Sequence, residues 1–300
     1  MTRTTKEERI KYHVDYPQDT EFSAYARLLQ SKWREKKHLP FVSFGNFLPS
    51  DIARKDKSNF LTDKIQTLVK YELYRKGVFG KLIKEDRMWE NLLSSQPLCF
   101  NLFGELHFDL KLATKYFRKL FPNKVEIVTN VLFEHSPGRG NPKYIGDHSA
   151  FDVFVEYTNK DKKGFIGIEV KYAESLKEET MGKAKKNFKE IYATLTESCK
   201  IFKPDSIEQL KQPPLSQIWR DHLLSIATKQ DYDEGFFVFL FPTKNTQCQN
   251  GVDNYKKFLF TDNEELTGFY ARHLDVFIKT LRGLHNIEWT KELEERYLGY

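Results

Sequence analysis

The chain has 300 residues, of which 40% are hydrophobic and 30% charged. That mixture excludes general disorder and leaves room for one core-bearing domain with an added region. Lys and Arg number 48 against 42 Asp and Glu, a net charge of +6, which excludes a polycationic tail yet is compatible with a nucleic-acid partner.

The first 95 residues read as helices joined by polar turns. Residues 19–37 carry Phe22, Ala26, Leu29 and Trp33 at helical spacing, and residues 58–76 carry Leu61, Ile65, Leu68, Val69 and Leu73. A third helix fits 86–93. This gives a helical N-terminal region over 1–95 ahead of an α/β domain over 96–300. Residues 104–121 read as one helix, with Phe108, Leu112, Tyr116 and Leu120 on a stripe and Pro122 as a stop. Residues 125–133 read as a strand, followed by the turn-rich SPGRGNPKYIGD. Two further strands, 150–157 and 164–172, are linked by the polar TNKDKK and are predicted to pair antiparallel. Helices are predicted over 177–199, 215–227 and 264–281. The apolar run 235–242 fits a buried strand between the last two. The order predicts a mixed sheet flanked by helices.

Side chains alternate faces along a strand. Phe151, Val153, Val155 and Tyr157 share one predicted face, and Asp152, Phe154 and Glu156 the other. On the next strand Ile166, Ile168 and Val170 oppose Glu169 and Lys171. In a hairpin, Asp152 and Glu169 come within reach of one metal ion, with Lys171 beside them. Two converging carboxylates repel unless a cation lies between them, and hard oxygen donors suit Mg²⁺, with Mn²⁺ as a substitute. A lysine there can neutralise charge building on a phosphate. The same residues also fit a plain ion pair on a solvated strand face.

The spacing Asp-x16-Glu-x-Lys, in FDVFVEY and IEVKY after a helix and a strand, resembles the PD-(D/E)XK nuclease superfamily. The resemblance covers about residues 101–242. It implies a three-layer, restriction-endonuclease-like core and an Mg²⁺-dependent phosphodiesterase. Asp152, Glu169 and Lys171 are then the catalytic set, and the Val170 carbonyl is a further ligand. Many members add a Glu from the preceding core helix, which Glu105 in FGELHF fits; Glu134 and Glu156 are alternatives. Some members carry a Gln on a later helix, for which Gln217 in SQIWRDH is the candidate. Phe151 stands where the family's Pro precedes the Asp. Relatives that cut two strands as dimers make a homodimer an expectation.

The basic candidates for phosphate contact are Lys183, Lys185, Lys186 and Lys189, with Arg139 and Lys143 in the glycine-rich loop. Each also reads as an ordinary solvated charge. There is no HExxH, Walker A or GxSxG motif. The longest apolar run, Phe236 to Phe241, is far below the roughly 20 residues that span a bilayer. The N-terminus lacks an apolar leader core, and Cys99, Cys199 and Cys248 are too dispersed for a disulfide framework. A cytoplasmic setting without membrane contact is expected. The sequence therefore points to a metal-dependent nuclease, DNA being favoured over RNA as its partner. The competing readings are an inactive nucleic-acid-binding module of the same fold and a protein-interaction domain.

Overall fold

The computed structural model describes residues 4–299 except 175, 177–181, 183–185 and 187. Short helix α1 (Lys6–Lys11) precedes α2 (Glu21–Lys36), α3 (Ser50–Asp56), α4 (Asp63–Phe79) and α5 (Glu85–Glu90). Helices α6 (Ser95–Phe108) and α7 (Leu110–Leu120) lead into strands β1 (Ile127–His135), β2 (Phe151–Asn159) and β3 (Lys162–Val170). Among the described residues, α8 (Glu190–Ser198), α9 (Ile207–Leu210) and α10 (Leu215–Thr228) then precede β4 (Glu234–Phe241). The chain closes with α11 (Thr246–Lys256), α12 (Glu264–Thr267), β5 (Phe269–His273), α13 (Leu274–Leu284) and α14 (Glu288–Leu298). No helix among the described residues is long and apolar enough to cross a membrane.

The sheet is mixed, in the order β1-β2-β3-β4-β5. The β1–β2 and β2–β3 pairs are antiparallel, whereas β3–β4 and β4–β5 are parallel. Apolar side chains leave both faces of β4, as a central parallel strand requires. Phe236, Val238 and Leu240 join the layer built with α6, α7, α13 and α14. Phe237, Phe239 and Phe241 join a second layer against α10 and α11. The first layer also takes in Phe22, Trp33, Ile65 and Trp89, so the N-terminal helices share its core.

Two predicted helices divide differently. The stripe over 104–121 belongs to two helices broken at Asp109, whose carboxylate caps Leu112 N at 2.9 Å. Helix α6 begins at Ser95, where the Ser94 hydroxyl caps Gln96 N. Residues 264–281 form α12, β5 and α13 in place of one helix. Gly268 adopts φ +70°, which ends α12 and starts a strand that apolar periodicity hid. Most of the predicted helix over 177–199 lies outside the described residues, and its end forms α8.

Phe151 also departs from its predicted face. It packs with Phe154 at 5.7 Å, whereas Val153 enters the opposite layer. A Cβ at Gly167 would lie 2.4 Å from the Phe151 ring, so the ring fits only over glycine.

Candidate active site

The β2–β3 ladder runs from Asn159↔Lys162 to Val153↔Ile168 and stops there. Beyond that point Val170 N donates to Asp152 Oδ2 at 2.8 Å, so a side chain takes over from the strand's backbone as acceptor. Lys171 N instead donates to Leu240 O on β4, at 2.8 Å. The hairpin thus opens at the end that carries Asp152, Glu169 and Lys171.

Glu169 is buried, and its Oε1 accepts Lys171 Nζ at 2.8 Å and Gln217 Nε2 at 2.8 Å. Gln217 lies in the first turn of α10, which packs across β4. Glu169 Oε2 and Asp152 Oδ1 accept no hydrogen bond among the described residues. Loss of hydration pushes the Asp152 carboxyl well above its ordinary range, and the Glu169 charge adds to this against the counter-pull of Lys171. Burial would lower Lys171, but the charges of Glu169 and Asp152 outweigh it and hold the ammonium above its ordinary value. The group is two acids and one base in a poorly hydrated place.

Among the described residues no three His, Cys, Asp or Glu side chains form a ready metal cage. The donor chemistry nevertheless fits Mg²⁺, which takes one or two carboxylates and fills its other positions with water and phosphate oxygen. Asp152 Oδ1, Glu169 Oε2 and the Val170 carbonyl are the oxygens that could hold it.

The other candidates separate clearly. Glu105 is placed elsewhere: it accepts Thr62 Oγ1 at 2.5 Å and pairs with Lys64 at 3.5 Å at the start of α4. The resemblance had suggested it for the site, but it lies three residues from the end of α6. Glu156 is likewise occupied, by Asn130 at 3.1 Å and Tyr232 at 2.7 Å. Glu134, near the end of β1, instead lines a cavity of about 10 Å³ with Asp152, Gln96, Cys99 and Phe100. Burial raises its carboxyl, partly offset by Arg139. Its backbone has φ +45°, a left-handed conformation that costs a non-glycine residue on the order of 1–2 kcal/mol.

Arg139 turns inward, with Glu134 Oε1 at 3.8 Å and the His148 carbonyl at 3.1 Å. Lys143 reaches Asp231 at 3.3 Å, and Lys189 donates to the Gly146 carbonyl. Lys186 is exposed. Lys183 and Lys185 lie outside the described residues. Sequence reasoning missed Asp221, one turn beyond Gln217 on α10. It is buried with Oδ2 unpartnered, and burial together with the Glu169 charge pushes its carboxyl well up. The i, i+4 spacing from Gln217 was the available signal.

A larger cleft of about 630 Å³ opens just past the lysine. Ala173, Glu174 and Gln247 line it with Asp19, Arg27, Arg87 and Ser94. Glu174 accepts Ser95 N at 2.6 Å and so ties the start of α6 to the end of β3.

Comparison with known proteins returns one family. The model of the PD-(D/E)XK nuclease superfamily matches residues 17–299. No curated protein and no solved structure matches the chain.

Proposed function

Because the chain belongs to the PD-(D/E)XK nuclease superfamily, we propose that it is a metal-dependent endonuclease hydrolysing phosphodiester bonds in DNA. The observation that carries this reading is the Asp152–Glu169–Lys171 group at the opened end of the hairpin, with carboxylate oxygens left unbonded. Asp152, Glu169 and the Val170 carbonyl would hold Mg²⁺ or Mn²⁺, and Glu134 replaces Glu105 as the additional acid. The ion when bound supplies Lewis acidity to the phosphodiester and makes water more acidic.

The chain's own residues do the rest. Gln217 holds Glu169 through Oε1, so Oε2 would be the oxygen offered to the ion. Lys171, fully protonated beside two carboxylates, sits where it can neutralise charge gathering on a phosphate oxygen. Water oxygen bonds to phosphorus in line as the opposite P–O bond to the sugar breaks; the water's proton passes to solvent, and the leaving sugar oxygen takes a proton from solvent. Burial keeps these charges strong by limiting competing water.

The test is incubation of covalently closed circular DNA with the protein in Mg²⁺ and in chelator. Cutting that needs Mg²⁺ and is lost in Asp152→Ala supports the reading. Glu134→Gln should slow cutting, whereas Glu105→Gln should not. Absence of Mg²⁺-dependent cutting by the wild type, or full activity in Asp152→Ala, overturns it.

A further inference from the structure

Helix α4 has a second apolar face. Ile65, Leu68, Val69 and Glu72 point inward. Tyr71, Tyr74, Val78 and Phe79, with Leu82 just beyond the helix, are each more than half exposed. The Arg75 guanidinium lies 5.3 Å from the Tyr71 ring centre and 4.8 Å from that of Phe79. Arg75 is anchored in turn by Glu72 at 3.3 Å. The result is an aromatic ladder, held in place and open to solvent, of a size that single scattered residues do not make.

The charge around this face is positive. Lys70 is exposed, and the neighbouring Lys57 holds its ammonium below the ordinary value. Lys70 is one turn from Tyr74. Glu72, which could offset them, is buried and committed to Lys81 and Arg75. Two neighbouring ammonium groups favour an anion between them.

The face is also fastened to the acids. Gly80 caps α4, and Lys81 then donates to the Phe133 carbonyl at 2.6 Å. Leu82 N donates to Glu134 Oε1 at 3.2 Å. A strand lying along α4 would therefore run towards Glu134 and Asp152.

We propose that this face is a stacking platform for unpaired bases of the nucleic acid, with Lys57 and Lys70 taking its phosphates. Every base offers a π-face, whereas a base pair inside a duplex cannot lay its face on an exposed ring. A second copy of the chain suits the patch less well, because a two-fold contact would bring both lysine pairs together. The inference rests on the nuclease reading for what happens to the strand, but its test does not.

The experiment measures binding of a short fluorescent single-stranded DNA in chelator, so that cleavage cannot intervene. The triple variant Tyr71→Ala, Tyr74→Ala, Phe79→Ala should lose about tenfold or more in affinity. The same variant should bind duplex DNA nearly as well as wild type. Lys57→Ala with Lys70→Ala should reduce the salt slope by about 0.7 log units per lost contact. Tyr74→Ala alone, at the most exposed ring, provides a milder variant that keeps the fold if the triple does not. Unchanged single-strand affinity in these folded variants overturns the proposal. So does a triple variant that turns a dimer into a monomer in sedimentation without altering strand binding, since the face would then belong to a second copy. Failure of the nuclease reading looks different: the wild type would bind the strand and not cut DNA in Mg²⁺.

Discussion

Two buried charged clusters meet at Tyr172, whose hydroxyl reaches one and whose backbone follows Lys171 of the other, and they are built on opposite principles. Arg296 of α14 is fully buried, and every partner it meets suits it. It donates to Gln30 Oε1 at 2.9 Å, the Asn59 carbonyl at 2.8 Å and Asn59 Oδ1 at 2.6 Å, and it stacks 4.2 Å from the Trp33 ring centre. Burial still pulls its pKa down, the residual cost of enclosing a cation among neutral groups. Gln30 links this cluster to the Tyr172 hydroxyl at 3.3 Å. At the Asp152 site, by contrast, the Glu169 charge raises the Asp152 carboxyl, and each acid has an oxygen that accepts no hydrogen bond from the described residues. The first arrangement joins both ends of the chain. The second stores repulsion that a cation would relieve. Burial of charge alone therefore does not mark a functional site; an unbalanced charge with unused acceptors does.

Changes on the two sides should fail in different ways. Lys171→Met should cut the rate of DNA cleavage by about 10²-fold or more even well below its melting temperature, and it also lowers the melt because buried Glu169 loses its partner. A steady-state assay beside a melt separates the two readouts. Near wild-type cleavage by the folded variant would make Lys171 a structural residue like Arg296.

The reverse pattern is expected for Arg296→Ala. It strands the acceptors of Gln30 and Asn59 and removes packing from Trp33. Chemical denaturation should show a loss of about 2–4 kcal/mol. DNA cleavage measured well below the melting temperature should persist.

A smaller effect sharpens the contrast with a third buried polar residue. His222 lies between the Tyr255 hydroxyl at 2.8 Å and the Thr267 carbonyl at 2.9 Å. Burial lowers its pKa to about 3. The unfolded chain then binds the extra proton first, so stability is complete above about pH 6.5 and falls as pH drops towards 3. The slope should reach about 1.4 kcal/mol per pH unit for this group. Denaturation at several pH values should show that slope diminished in His222→Gln.

Much of this was legible in the sequence, and the misses share physical causes. The hairpin was readable because β2 and β3 alternate around a polar turn, and the ExK residues fall at its open end. Gln217 was placed by resemblance, and its amide does meet Glu169. Glu105 was carried over by resemblance alone, and its carboxylate is taken up by Thr62 and Lys64 at the start of α4. Glu134 was one of several acids in the sequence; only the left-handed turn at its own backbone sets it beside Asp152. Strand β5 was hidden because Leu266, Phe269, Tyr270, Leu274 and Phe277 satisfy helical spacing across Gly268, which breaks it. Phe151 defied alternation because Gly167 leaves a gap on the facing strand that its ring fills. Arg296 gave no signal at all, since its partners come from residues more than 230 positions away.

The central claim is that Asp152 and Glu169 form an incomplete set of oxygen ligands waiting for a cation. Calorimetric titration of Mn²⁺ into the metal-free protein tests it directly, with Asp152→Asn and Lys171→Met alongside. The account predicts saturable binding in the wild type, none in Asp152→Asn and retained binding in Lys171→Met, because an ammonium supplies no ligand oxygen. Equal Mn²⁺ affinity in wild type and folded Asp152→Asn would contradict it.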